Sequence, residues 1–342
     1  MNNNNNSFDK NAQKFADLMI SKIESINTSW KKPWFSKKIT SGTFLPQNIS
    51  GRTYASGNAF FLLLLTEEKN FQTPVFLTFK QAVSLKVSIL KGSASFPVYY
   101  NVINVYHRET GDKITIEEYK ELSKEDQKEY RVVASVKYYL VFNLDQTNFA
   151  DVQPQKWEAI KTKFTPKVDE PTEEEAKMYS NPILDNMLKT KSWVCPIILK
   201  KSDRACFFPM ADKIEMPLKK QFVDGEAFYS TQLHEMTHST GVLSRCARTD
   251  FHSGKQTAAY GREELVAEFS AALMGVVLGI SAGIREENAA YLKGWIKSIK
   301  EEPKFLLSVL SDSMKAVKFI ASELKVNLFE MGEDEQVEAQ AA

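Results

Sequence analysis

Histidine and cysteine are the scarce residues of this chain, four and three among 342. The cysteines, Cys195, Cys206 and Cys246, have no paired or C-x-x-C spacing. That excludes a disulfide framework and points to a cytoplasmic protein with thiols buried as small apolar groups. Long apolar runs are also missing. The longest, such as Ala59 to Leu65, fall far short of a bilayer span, and the Asn-rich start has none of the features of a signal peptide, so no membrane partner is expected. Net charge is nearly absent, at +1, but it is unevenly spread. Residues 1–108 carry 13 Lys/Arg against 5 Asp/Glu, and the remainder carries 31 against 38. A basic front half suits a polyanionic partner.

Two of the four histidines fall in His234-Glu235-Met236-Thr237-His238, an H-E-x-x-H motif. Positions i and i+4 share a helix face, so both imidazoles can address one metal ion, zinc or another divalent cation. Glu235 sits beside that face, placed to take a proton from an activated water without being a ligand. Asp224-Gly225 suits a helix start and Ser239-Thr240-Gly241 a helix stop.

A hydrolytic zinc site needs three protein ligands and one open position. The extended pattern H-E-x-x-H-x-x-G-x-x-H fits at Gly241 but places Ser244 where the third histidine belongs, and His252 comes too late. The other scheme takes a glutamate from a following helix. Gly261 to Leu273 offers Glu264 and Glu268, four apart at the head of a segment apolar almost all round. Buried carboxylates there need a partner, either a metal or Arg245, Arg248 or Arg262. Glu264 is the ligand choice, with Glu268 holding a ligand histidine from behind; the reverse assignment stays open. Glu263 is disfavoured because it lies about 100° around the helix.

The pattern predicts an α+β chain. A disordered tip over 1–7 precedes an amphipathic helix from Phe8 to Ile26. The loop Trp30-Lys31-Lys32-Pro33-Trp34-Phe35-Ser36-Lys37-Lys38 interleaves aromatics with lysines, the composition that stacks unpaired bases and tracks phosphates. The same composition serves a loop whose tryptophans plug the edge of a core. Arg52, Tyr54 and Asn58 lie in a turn-rich entry to the apolar helix Ala59 to Leu65. Phe76 to Ala82, including Lys80, reads as a strand entering a helix. Phe96 to Val105 and Tyr138 to Asn143 read as strands around a charged helical insert, Ile116 to Tyr130. The domain boundaries expected are 8–150, a linker over 151–176, a second domain over 177–328, and an acidic disordered tail over 329–342. Val194 to Lys200, Cys206 to Phe208 and Asp212 to Pro217 read as extended, the last as an edge strand able to pair with a peptide. Tyr260 and Tyr229 are the tyrosines near enough in sequence to assist at a carbonyl.

In this order the pieces resemble the ArdC-like antirestriction family of mobile-element proteins. The front half carries the resemblance through Trp30 to Phe35, Tyr54, Gly57-Asn58, Leu77 to Ala82, Lys91-Gly92, Pro97-Val98 and Val141 to Asn143. The back half carries it through Asp212 to Pro217, His234 to His238, Gly241, Glu263 to Glu268 and Tyr291 to Trp295. The resemblance implies an N-terminal single-stranded DNA-binding domain, also found in plasmid primase-like proteins, and a C-terminal zincin-like metallopeptidase domain. It implies protection of incoming plasmid DNA from restriction. It assigns DNA contacts to Trp30, Lys31, Lys32, Trp34, Lys37, Lys38, Arg52, Tyr54, Asn58 and Lys80, and one Zn2+ to His234, His238 and Glu264, with Glu235 as base. Two other readings compete: a single-strand-binding module with a structural metal, and a cytosolic zinc protease with a protein-binding front half.

Overall fold

The computed structural model describes residues 2–27, 34–35, 45–54, 56–165, 174, 179–248, 257–281 and 291–328. Helix α1 (Asn2–Asn27) buries Phe15, Met19 and Ile23, one turn apart along a single face. The Asn-rich start, expected as disordered, is helical from Asn2. Once the buried stripe anchors a nucleus, further residues cost only propagation.

A short strand β1 (Gln47–Asn48) leads to α2 (Ser56–Glu68), whose Phe60, Leu62, Leu63 and Leu64 are all buried. Strand β2 (Val75–Thr78) hands over directly to α3 (Phe79–Ser84). Thr78 makes the junction: its hydroxyl accepts from Gln81 N, and the Gln81 side chain accepts from Thr78 N. Strand β3 (Phe96–His107) is followed by β4 (Lys113–Ile114), α4 (Ile116–Glu121) and β5 (Tyr130–Asn143). The charged insert is therefore helical only to Glu121 and returns through a 3-10 turn over Asp126–Glu129. The sheet order is β1-β2-β5-β3-β4, with β1 and β2 parallel and the other pairs antiparallel.

Helices α5 (Phe149–Val152) and α6 (Pro154–Phe164) occupy the first part of the expected linker. Pro154 sits in the first turn, where its missing N–H costs nothing. Trp157 and Phe164 bury with Val75, Leu77 and Phe149, so this stretch is packed structure. Then follow α7 (Pro182–Thr190), β6 (Ile197–Lys200), β7 (Cys206–Phe208), β8 (Lys213–Pro217), α8 (Gly225–Ser239), α9 (Ala258–Leu278), α10 (Leu292–Glu301) and α11 (Phe305–Leu324). The second sheet runs β6-β8-β7. No described helix is long and apolar enough to cross a membrane.

One core runs through both halves. Gly57 lets α2 approach α11 closely: a Cβ there would lie 3.0 Å from Leu310 Cδ1. The Phe60 ring of α2 lies 4.5 Å from that of Phe269 on α9, and α1 packs on α10. Each buried phenylalanine at this junction contributes roughly 1.5–3 kcal/mol, so the halves stabilise each other.

Candidate metal centre

The motif helix is held on all sides before any ligand is considered. Asp224 caps α8, its Oδ1 accepting from Ala227 N at 2.7 Å. Phe228, Tyr229, Leu233 and Met236 are buried around it. Arg245 ties the helix end to the sheet, donating to Ser239 O at 2.6 Å and to both Asp212 oxygens at 2.9 and 2.7 Å. Facing α8 is α9, capped by the Thr257 hydroxyl and ended by Gly279 at φ 71°.

These two helices bring His234, His238 and Glu264 together, with one donor atom from each within 4.8 Å of the others. The two Nε2 atoms lie 3.1 Å apart, His234 Nε2 is 3.3 Å from Glu264 Oε2, and His238 Nε2 is 3.6 Å from Glu264 Oε1. Tetrahedral ligands with bonds of about 2.0–2.1 Å stand roughly 3.3 Å from one another, so the donor set fits a small divalent cation. Charge agrees. Glu235, Glu263, Glu264 and Glu268 are 3%, 2%, 4% and 1% exposed, and Arg248 is the buried guanidinium among them. Burial disfavours the charged form of His238, yet Glu264, Glu263 and Glu235 outweigh it and push its pKa up to about 10. Burial likewise opposes ionisation of Glu264, but the two histidines hold it well below the usual carboxylate range. A cation is the natural counter-charge to such a cluster.

Behind the ligands stands a second layer. Glu268 Oε1 lies 3.7 Å from His234 Nδ1, close but beyond hydrogen-bond reach. His238 Nδ1 is 3.2 Å from Glu263 Oε1. Arg248 grips Glu263 through Nε at 2.8 Å and Nη2 at 2.5 Å, and also donates to Thr240 Oγ1 and Thr237 O at 2.7 and 2.9 Å. Sequence reasoning set Glu263 aside for lying about 100° from Glu264, and that offset is what carries it behind His238. The signal available was a glutamate next to the ligand glutamate with an arginine following the motif. Of the three arginines considered as partners, Arg248 takes Glu263, while Arg245 is engaged by Asp212 and Arg262 by Asp312 at 2.8 Å.

Glu235 Oε2 accepts from Phe207 N at 2.8 Å, which fixes strand β7 against the motif helix. This corrects the expected substrate edge. Asp212 to Pro217 is mostly β8, which pairs with β6 on one side and β7 on the other, so its edges are used. β7 is the outer strand of that sheet, and its Phe207 N–H is taken by Glu235. The two candidate tyrosines separate as well. Tyr229 donates to Asp185 Oδ1 at 2.6 Å and accepts from Lys219 Nζ at 2.8 Å, away from the ligands. Burial and the adjoining Glu264 carboxylate, to which its hydroxyl bonds, raise the pKa of Tyr260.

Comparison with known proteins gives the arrangement a family. Residues 9–142 match the N-terminal domain of anti-restriction factor ArdC, and residues 190–311 match a zincin-like metallopeptidase. The chain belongs to the ArdC-like family. Two DNA primase TraC proteins of Escherichia coli are 25% and 27% identical to 90% and 89% of this ArdC-like chain. The chain spans 27% and 19% of their lengths, so it corresponds to a part of each. The metal-free crystal structure of antirestriction ArdC from plasmid R388 superposes with a TM-score of 0.67 at 24% identity, covering 92% of this chain and 97% of that one. The Mn(II)-bound structure of the same protein gives 0.63 at 22% identity over the same shares. The likeness shows a common fold, and that relative binds a metal.

In the ArdC-like chain the residues expected to contact DNA do not form one surface. Trp30, Lys31, Lys32, Lys37 and Lys38 lie outside the described residues. Trp34 is 0% exposed, edge-on to Phe60 and Phe269 with centroids at 5.8 and 5.1 Å, so no base can stack on it. Tyr54 is buried against Phe76. Asn58 spends its amide on strand β3, donating to Tyr99 O at 2.7 Å and accepting from Tyr99 N at 2.9 Å. Trp34, Tyr54 and Asn58 are therefore corrected to core and edge-capping roles. Arg52 is half-buried, and Lys80 is exposed on α3.

Proposed function

We propose that the chain is a mobile-element antirestriction-type protein that binds single-stranded DNA and carries a zinc hydrolase site acting on peptide bonds. One observation carries the reading: His234, His238 and Glu264 converge with Glu235 beside them, in a chain whose front half matches the ArdC N-terminal domain. A divalent cation held by these ligands would supply Lewis acidity for a water and a scissile carbonyl. Glu235, oriented by Phe207 N–H, takes up the water proton and returns it to the leaving amine. Tyr260, beside Glu264 on α9, is the hydroxyl suited to donate to the carbonyl oxygen.

Replacing Glu235 with Gln tests this on a quenched fluorescent peptide pool. The variant should keep its metal and its DNA affinity and lose cleavage; cleavage at the wild-type rate removes the hydrolytic mechanism. A purely structural metal is the competing reading, favoured by the near-complete burial of His234 and Glu264 at 1% and 4% exposure. Stripping the metal separates the two, because a structural ion takes the fold with it.

A further inference from the structure

The burial of Trp34 and Tyr54 leaves the described part of the front half without the stacking groups first assigned to it, yet another face supplies them. Among the described residues, the middle of the β3–β5 ribbon buries one face and exposes apolar groups on the other. Val98, Tyr139 and Val141 point into the core, while Leu140, Val136 and Ile103 on the opposite face are 43%, 45% and 45% exposed. Alternation along the strands puts Tyr99 and Tyr138 on this outer face too, directly paired, with ring centroids 6.3 Å apart. Helices stand at both ends. Thr78 pairs with Val141, so α3 begins beside Leu140, and Phe79 and Val83, one turn apart on α3, are 62% and 59% exposed. At the far end Tyr119 of α4 meets Tyr130, and Val105 is buried.

A contiguous apolar face of this kind on a protein surface marks an interaction site. Charge selects the partner. Lys80, Lys86 and Lys91 are exposed on and after α3. The exposed Phe79 ring with lysines beside it fits a strand of unpaired bases with its phosphates.

We infer that the outer face of the β3–β5 ribbon, from Phe79 to Ile103, is the track on which single-stranded DNA lies, with bases against Phe79 and Leu140 and a phosphate on Lys80. This rests on the single-strand binding proposed above and gives it a surface. The test is an anisotropy titration of the full chain with a fluorescent thymidine oligonucleotide, using Phe79→Ala, Leu140→Thr and Lys80→Ala. Unchanged circular dichroism and metal content control for folding. Phe79→Ala should weaken binding roughly 5- to 100-fold. Lys80→Ala should lower the slope of log affinity against log salt by about 0.7. If the wild type binds and both Phe79→Ala and Leu140→Thr bind within twofold of it, the track is overturned and the functional reading survives. If the wild type binds no DNA, the functional reading fails and the track with it. If the substitutions abolish a self-association seen by sedimentation and leave DNA affinity intact, the face joins copies of the chain and the track is again overturned.

Discussion

The candidate metal centre and the proposed nucleic-acid face are built on opposite plans. At the candidate metal centre His234, Glu235, Glu263, Glu264 and Glu268 sit buried on α8 or α9, and two side chains are held by another: His238 by Glu263, Glu263 by Arg248. On the outer face of the β3–β5 ribbon Leu140, Val136 and Ile103 are exposed on a sheet surface. A metal site needs angles and distances fixed to fractions of an ångström, which a rigid helix pair provides. A polynucleotide track needs area and charge, which tolerate looser placement. The comparison teaches that rigidity here follows the chemistry, and it can be broken at specific residues.

The largest effects should come from the supports. Arg248→Met leaves Glu263 buried without its guanidinium and should cost about 3–5 kcal/mol in urea unfolding. Trp34→Ala should cost a similar amount, roughly 3–5 kcal/mol, by opening a cavity between α2 and α9. A Trp34→Ala protein of wild-type stability but weakened DNA binding would return that residue to the interface. Next comes Glu263→Gln, which frees the ring of His238 and should lower metal affinity by roughly 10–100-fold in a chelator competition. Proton linkage follows. The pKa of His238 is pushed up to about 10 before metal binds, so the imidazole is charged at neutral pH and must release a proton to become a ligand. Apparent affinity should therefore rise by about tenfold per pH unit below that value, with proton release measurable by calorimetry in buffers of different ionisation enthalpy. Smallest is Phe79→Ala, whose exposed ring should change stability by no more than about 0.5 kcal/mol while DNA affinity falls.

The same contrast explains what the sequence revealed. H-E-x-x-H is a spacing rule obeyed within one helix, and the Glu264 and Glu268 pair is another, so the convergence of His234, His238 and Glu264 was legible from local pattern. The helix ends at Asp224 and Gly279 were legible for the same reason. The role of Glu263 was not, because it depends on the crossing of two helices and on Arg248, which arrives from a separate segment. The front half misled further. Trp34 among lysines has the composition of a stacking loop, but burial is decided by Phe269, more than two hundred residues away in sequence. Asn58 looked like a ligand-facing turn residue and instead closes the edge of β3 at Tyr99. The first part of the expected linker is packed for a related reason: Trp157 and Phe164 find partners on a sheet that the composition of the stretch does not reveal.

The central claim is that Glu264 completes the ligand set and Glu268 supports it from behind. Metal content of purified wild type, Glu264→Ala and Glu268→Ala, read by inductively coupled plasma mass spectrometry after dialysis against a mild chelator, tests this most directly. The account predicts a single divalent ion per wild-type chain, none in Glu264→Ala, and a weakened but retained ion in Glu268→Ala. Full occupancy in Glu264→Ala with loss in Glu268→Ala would contradict it.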